Sequence, residues 1–228
     1  MKVGISLTSN HPDAKDPREG ARWMIERTAA AHRAGLDSLF VGDQHVSPTP
    51  YYQNTPMLGR LLAEWGEGPA GCLFLLPLWH PVLVAEQIGT LAAIARGPFI
   101  MQCGLGWGEA RFAAMGANIR TRPSAFEEAL DIIRRLLAGE TVSSSRRFRV
   151  AEASLALSPA EPVDGGRRDW PRAGSRAPAS PHQKRACRPI SIASAAPLTV
   201  RSHAPSPCGA TSMSASRRPR HERSCSER

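Results

Sequence analysis

Four short apolar runs, each followed by a longer stretch with apolar residues at helical spacing, limit most strongly what this chain can fold into. The runs are rich in apolar residues throughout and do not alternate with polar ones. Strands of that kind are typical of a parallel sheet that helices bury on both faces. The pattern therefore predicts an α/β fold with strands at residues 2–7, 38–42, 71–76 and 98–103.

Capping residues mark where the predicted helices begin and end. Asp16 before Pro17 is typical of a helix start, and Gly35 is a natural end for that helix. Ser124 and Glu127 stand at the spacing of a capping box, which places the start of the last helix there. These positions predict about four strand–helix units within residues 1–160.

Two architectures accommodate those units: a β/α barrel and an open doubly wound sheet. The loops that follow the strands carry the unusual residues, namely Asp43 with His45, then Pro77 with His80, and then a glycine cluster. In a barrel all such loops converge on one face, where active sites lie. We therefore favour a partial TIM-type barrel, about half of the eight units that a closed one needs.

The glycine cluster is the sequence CGLGWG at 103–108, with glycines at alternate positions. It lacks the third glycine of a dinucleotide-binding fingerprint, and no GK[ST] follows to make a phosphate loop. Glycine permits positive φ and close approach of a ligand to the main chain. Two interpretations stay open. Either a flat ligand lies against the glycine main chain with Trp107 as an apolar wall, or the glycines only let the chain leave the strand and Trp107 lies in the core.

Several polar residues in the loops also allow two interpretations. His45 and Asp43 could orient a substrate or move a proton, or Asp43 could accept hydrogen bonds from loop amides. His80 either begins a helix or faces a pocket. Tyr51 and Tyr52 belong either to a lid or to a surface loop.

Other chemistries find little support. The five cysteines form no C-x-x-C pair, and Cys72 and Cys103 lie in apolar runs, so we expect buried thiols and no disulfide framework. None of the four histidines in residues 1–164 has a His or Cys four residues away, and no G-x-S-x-G occurs, so we expect neither a metal site nor a nucleophilic centre. Glu109 and Arg111 are interpreted as a solvent-exposed pair.

The last part of the chain differs in charge and composition. Residues 1–164 hold 16 basic and 17 acidic side chains, whereas residues 165–228 hold 13 and 3. The latter segment is rich in Arg, Ser, Pro and Ala and shows no helical or strand period, which predicts a disordered basic tail. A nucleic-acid-binding arm is one alternative. We hypothesise instead that a frameshift in GC-rich DNA replaced the natural C-terminal half.

The N-terminus has no apolar signal region with a cleavage site, and no apolar segment reaches the length of a membrane span. We therefore expect a cytoplasmic protein that does not associate with membranes. Because the predicted globular part is nearly neutral, nucleic acid is not the expected partner.

Four segments in this order and spacing resemble the luciferase-like monooxygenase superfamily, the FMN- or F420-dependent β/α barrels related to bacterial luciferase. The resemblance covers about the first 160 residues. It is carried by VGDQH at 41–45, LLPLWHPVLVAEQIGTLAAIARG at 75–97, CGLGWGEARFAAMG at 103–116 and RPSAFEEALDIIRRLLAGE at 122–140.

The resemblance implies that the ends of the strands hold an isoalloxazine ring. By that analogy Asp43 and His45 line the pocket as catalytic residues. It also implies a bulge with a non-prolyl cis peptide after the third strand. The implied cofactor-binding residues are Leu75, Leu76 and Pro77 behind the ring, and Gly104, Leu105, Gly106 and Trp107 beside it.

By the same resemblance the activity would be that of a flavin-dependent monooxygenase acting on a small organic substrate with reduced FMN and oxygen. F420-dependent hydride transfer is the alternative, and a non-catalytic protein with a basic nucleic-acid-binding tail is a third. A flavin reductase is an implied partner. Half a barrel exposes two sheet edges and an apolar interior. We therefore expect the chain to be marginally stable, and inactive unless two copies pair their open edges.

Overall fold

The computed structural model describes residues 2–157, 164–165 and 190–194. Four parallel strands confirm the four predicted ones: β1 (Gly4–Leu7), β2 (Ser38–Val41), β3 (Ala70–Leu75) and β4 (Phe99–Gly104). The helices are α1 (Pro17–Arg33), α2 (Asn54–Trp65), α3 (Pro81–Ile94), α4 (Glu109–Ala114) and α5 (Arg122–Leu137). None of the helices in this part of the chain is long and apolar enough to cross a membrane.

The first helix begins and ends where its capping residues predict. The Asp16 carboxylate accepts a hydrogen bond from the Arg18 amide at 2.8 Å, and Pro17 occupies the first turn. Gly35 follows the helix with a φ of 71°, a conformation that glycine adopts without strain.

The predicted capping box of α5 is wrong. A short 3₁₀ turn (Ile119–Thr121) leads directly into the helix, which begins at Arg122, ahead of Ser124. Pro123 fits the first turn because the amide that it lacks would have no helical partner there. The Ser124 hydroxyl donates backwards to the Thr121 carbonyl at 3.0 Å instead of capping the helix.

Strand order distinguishes the two architectures. After β4 come a separate antiparallel pair, β5 (Val142–Ser144) and β6 (Val150–Ala153), and then β7 (Asp164–Gly165) and β8 (Ile190–Ser194). The main sheet runs β1-β2-β3-β4-β8-β7, with every pair parallel. The first four strands are neighbours in chain order, as in a barrel, whereas a doubly wound sheet reverses direction partway. No pairing in the described ranges closes the sheet into a ring.

The last two strands extend into the segment for which the sequence predicted no regular structure. Ile190–Ser194 pairs in register with β4 from Phe99 to Cys103, so for these five residues the expectation was wrong. The sequence ISIAS carries two β-branched isoleucines, but so short a run is hard to recognise between Arg- and Pro-rich stretches. The remainder of residues 165–228, and the predicted domain boundary near residue 160, lie outside what the structure describes.

Helices cover one face of the sheet. Most of their buried side chains form the main core with alternate strand residues, among them Leu39, Val41, Cys72, Phe74 and Met101. On the other face Phe40, Ile100 and Gln102 are only half-buried, so the prediction of burial on both faces is wrong for β2 and β4. This face is the one that points inward when a sheet of this kind closes into a barrel.

One glycine in β3 shapes the half-buried face. Gly71 pairs with Phe40 on one side and Ile100 on the other. A Cβ at Gly71 would lie 1.9 Å from the Ile100 carbonyl oxygen and 3.1 Å from the Phe40 ring. Only glycine therefore lets the three strands approach as they do.

Candidate functional site

The loops after β2 and β3 meet at a buried carboxylate. One oxygen of Asp43, Oδ2, accepts the Leu75 amide at 2.8 Å and the Trp79 indole N–H at 2.7 Å. Because the strands are parallel and in register, their carboxyl ends lie at one edge of the sheet, which brings these groups within reach. Asp43 thereby connects the loop after β2 to the end of β3 by hydrogen bonds.

The second oxygen of Asp43 lies beside His45. Asp43 Oδ1 and His45 Nε2 are 3.4 Å apart, and both atoms are buried without a hydrogen-bond partner among the described residues. The His45 ring meets the Trp79 ring edge-on at 5.2 Å. The interpretation of Asp43 as an acceptor for a main-chain amide is therefore confirmed, and a role of the pair in orienting a substrate or moving a proton stays a prediction.

Arg111 joins this group to the loop after β4. Its Nε donates to the His45 carbonyl at 2.9 Å and its Nη1 donates to the Trp107 carbonyl at 3.1 Å. Its guanidinium also stacks over the Trp107 ring at 5.0 Å. The expected solvent-exposed pair of Glu109 and Arg111 is therefore wrong: Arg111 spans two loops at the carboxyl edge.

The glycine cluster is explained partly by the chain's own packing. Gly106 and Gly108 have φ values of 71° and 93°, which confirms the prediction of positive φ. A Cβ at Gly104 would come within 3.0 Å of the Leu75 side chain, and one at Gly106 within 3.3 Å of Phe112. These glycines let the loop turn sharply against β3 and α4.

The side chains between those glycines are exposed. Trp107 is 71% exposed and Leu105 is 41% exposed. The interpretation of Trp107 as a core residue is therefore wrong, and its ring lies under the Arg111 guanidinium at the surface. Two large apolar side chains thus stand open to solvent beside the carboxyl edge.

The three residues predicted to back a ring differ in their surroundings. Leu75 packs beside Gly104, in a small apolar cluster with Leu78 and Phe112. Leu76 is fully buried in the main core, so its side chain does not face a ligand. Pro77 lies in a 3₁₀ turn, Leu76–Leu78, and lines a cavity. The implied cis peptide is not present, since all peptide bonds in the described ranges are trans.

The two loop tyrosines tie their loop to the one after β1. Tyr51 forms an antiparallel bridge with Asn10, and the Tyr52 amide donates to the Ser9 carbonyl at 2.9 Å. The Tyr52 hydroxyl also donates to the Pro17 carbonyl. Burial, helped by the nearby Asp43 charge, raises the pKa of Tyr51. These contacts favour a fixed surface loop over a lid.

The two described cysteines are buried in strands, as predicted. Burial raises the pKa of Cys72, and it raises the pKa of Cys103 to about 12. Both sulfurs are therefore neutral thiols near neutral pH, which is not the state that a nucleophile or metal ligand needs. No group of three or more potential metal-binding side chains occurs in the described ranges.

Sequence reasoning missed two contributors to the site, Trp79 and Arg111. The indole N–H of a buried tryptophan needs an acceptor, and a carboxylate at the preceding strand exit is a natural one, so Trp79 was detectable in principle. Arg111 was not, because its two acceptors are main-chain carbonyls in different loops.

A flat cofactor would fit this edge in chemical terms. Asp43 Oδ1 and His45 Nε2 lack a hydrogen-bond partner in the described part of the chain, and an unpaired buried polar atom lowers the stability of the fold. Catalytic hydrogen bonds are often long before a ligand binds and shorten afterwards. Leu105 and Trp107 offer exposed apolar surface close by.

Comparison with known proteins identifies relatives of this chain. The model of the luciferase-like monooxygenase family matches residues 1–205. Limonene 1,2-monooxygenase of Rhodococcus erythropolis is 36% identical over 70% of this chain and 42% of its own length. An F420-dependent glucose-6-phosphate dehydrogenase of Intrasporangium calvum is 31% identical over 63% of this chain and 47% of its own length.

Solved structures show the same fold. The oxygenating component of the 3,6-diketocamphane monooxygenase of Pseudomonas putida, in complex with FMN, superposes with a TM-score of 0.58 at 17% identity, over 73% of this chain and 51% of its own. A monooxygenase of Streptomyces bottropensis gives a TM-score of 0.61 at 17% identity, over 72% and 53%. The chain thus spans about half the length of the relatives it matches. It belongs to the luciferase-like monooxygenase family.

Proposed function

We propose that the carboxyl edge of the sheet binds a flavin-type cofactor and that the chain acts as an oxidoreductase on a small organic substrate. The proposal rests on the buried atoms Asp43 Oδ1 and His45 Nε2, which have no hydrogen-bond partner among the described residues. They lie next to the exposed apolar loop at Leu105 and Trp107. Membership of the family and the FMN-bound structural relative support it.

When bound, the cofactor would supply the redox chemistry, with oxygen as the second substrate of a monooxygenase. The chain's own residues would orient the substrate and exclude water from the site. Asp43 is fixed by the Leu75 amide and the Trp79 indole, so its free oxygen has a defined position beside His45. His45 can hold or transfer a proton, since its Nε2 has no other partner in the described part.

F420-dependent hydride transfer is the second candidate, and a specific observation favours it. Several curated relatives are F420-dependent dehydrogenases, including the one from Intrasporangium calvum and the hydroxymycolic acid dehydrogenase of Mycobacterium tuberculosis. The same Asp43–His45 pair would serve, because hydride transfer to or from a hydroxyl-bearing carbon also needs a proton acceptor or donor.

Whether this polypeptide is active by itself depends on how its four strand–helix units are completed. We propose that its four strand–helix units form part of a TIM-type barrel, which fits the sequential strand order and the helices on one face only. The half-buried apolar side chains of the other face, Phe40 and Ile100, would then pack against further barrel strands or against a second copy. A flavin reductase remains a proposed partner for the monooxygenase case.

Rapid-mixing experiments with the purified chain test the function. Pre-reduced FMN would be mixed with oxygen, and pre-reduced F420 with an aldehyde or ketone, and the absorbance of the cofactor followed. We expect His45→Gln to slow oxidation by about tenfold or more while the cofactor Kd stays within about twofold. Equal rates for the wild type and His45→Gln with both cofactors would contradict the proposal.

A further inference from the structure

The cavity that Pro77 lines has a volume of about 600 Å³ and lies beside the turn that follows β3. Four segments line it: the turn itself with Trp79 and His80, the loop after α4, the first part of α5, and the tip of a hairpin that follows α5. The described lining residues are Pro77, Leu78, Trp79, His80, Met115, Gly116, Ala117, Asn118, Thr121, Ala125, Arg146, Arg147 and Phe148. None of them is acidic.

The positive charge of the cavity comes from the hairpin of β5 (Val142–Ser144) and β6 (Val150–Ala153). Arg146 and Arg147 at its tip are exposed, and neither guanidinium has a hydrogen-bond or ion-pair partner among the described residues. Adjacent arginines without a carboxylate partner form a fork that suits a phosphate group.

A buried carboxylate holds the hairpin tip in place. Glu128 of α5 is only 8% exposed. It accepts hydrogen bonds from the Ser144 hydroxyl at 2.8 Å, the Arg147 amide at 3.2 Å and the Phe148 amide at 3.3 Å. The main chain that carries the two arginines is therefore fixed before any ligand arrives, which lowers the entropic cost of binding.

Trp79 connects the cavity with the carboxyl edge. Its ring lines the cavity, and its indole N–H donates to Asp43. A ligand with its anionic group in the cavity would thus lie one side chain away from the Asp43–His45 pair. We propose that this cavity binds the phosphate group of a small organic ligand, with Arg146 and Arg147 as the anion-binding residues.

Isothermal titration calorimetry of inorganic phosphate into the full chain tests the site directly. We expect the double variant Arg146→Gln/Arg147→Gln to bind phosphate about tenfold more weakly than the wild type, since two charge-assisted contacts are lost at an exposed site. Arg149→Gln is the matched control, because Arg149 is exposed on the same hairpin but does not line the cavity. Equal phosphate affinity in all three proteins, or no saturable binding to the wild type, would overturn the proposal.

Titrations with FMN and with riboflavin distinguish a cofactor's phosphate from a substrate's phosphate in the cavity. This second experiment rests on the proposed function. If the cavity takes the cofactor's phosphate, the double variant weakens FMN binding and leaves riboflavin binding unchanged. If it takes a substrate's phosphate, both flavins bind the double variant as they bind the wild type, while inorganic phosphate binds it more weakly. If neither the flavins nor F420 bind to any of these proteins, the proposed function is refuted and the phosphate result still stands.

Discussion

Different contacts hold the loops at the carboxyl edge of the sheet: those after β2 and β3 on one side, and the loop after β4 on the other. At the first two, a buried carboxylate joins Leu75 and Trp79 through one oxygen and approaches His45 through the other. At the third, glycines with positive φ carry Leu105 and Trp107 into solvent, and Arg111 supplies the link. One side of the candidate site is thus held by buried polar contacts and the other is open apolar surface.

This difference indicates a division of roles. A preorganised buried network suits the groups that orient a reacting atom. An exposed apolar loop next to it suits the broad face of a ligand, whose binding would remove that surface from water. Substitutions at the two places should therefore affect different properties, stability on one side and binding on the other.

The largest expected effect is at Asp43. Asp43→Ala removes the acceptor of the Leu75 and Trp79 N–H groups and leaves both unpaired, which should lower the free energy of unfolding by about 3 kcal/mol. Urea unfolding measures the change. Trp107→Ala at the exposed loop is the matched comparison and should change the free energy of unfolding by less than about 0.5 kcal/mol. Similar decreases in the free energy of unfolding of both variants would contradict the distinction between the two regions.

The thiol of Cys103 makes stability depend on pH. The folded-state pKa of about 12 stands above the ordinary value of 9.0, so the unfolded state releases its proton first as the pH rises. The contribution of this thiol to stability is complete below pH 9 and is lost as the pH rises toward 12, by no more than about 1.4 kcal/mol per pH unit.

Cys103→Ala isolates that contribution. At pH 7 the variant should be less stable by about 1 kcal/mol because buried volume is lost. Above pH 9 the wild type should lose stability faster than the variant, so the gap between them narrows. Urea midpoints at a series of pH values measure the gap, and a constant gap from pH 7 to pH 11 would show that the thiol does not ionise as we infer.

Arg111 should have a smaller effect, confined to the loops that it joins. Arg111→Gln removes hydrogen bonds to the His45 and Trp107 carbonyls, at a cost of about 1 kcal/mol. Hydrogen exchange should become faster in the loop around His45 while α1 stays unchanged. Arg120→Gln, an exposed arginine in the turn before α5, serves as the control. Unchanged exchange around His45 in Arg111→Gln would mean that the link has no positioning role.

The sequence predicted the parts of the fold that depend on local patterns. Apolar runs placed β1 to β4 within two residues or so at either end, and Asp16 and Gly35 bounded α1 because capping and positive φ are local requirements. The half-buried face of the sheet was not predictable from Phe40 and Ile100, since apolar runs look the same whether one face or both are covered.

The candidate site was predictable to a similar extent. Asp43, His45 and the glycine loop were found because unusual residues directly follow strands. The burial of Leu76 and the exposure of Trp107 were not, because they depend on how the β3 and β4 exits pack against each other. Arg111 and the arginine-lined cavity depend on contacts between segments distant in sequence, which no local pattern reveals.

The most direct test of the account is a titration of FMN and of F420 into the full chain carrying Leu105→Asp, followed by cofactor fluorescence. Ile94→Asp is the control, because Ile94 is also an exposed apolar residue but lies at the C-terminal end of α3. We predict saturable binding of at least one cofactor to the wild type and to Ile94→Asp, and at least about tenfold weaker binding to Leu105→Asp. Equal affinity of Leu105→Asp and the wild type would contradict the placement of a flavin-type ring at the exit of β4.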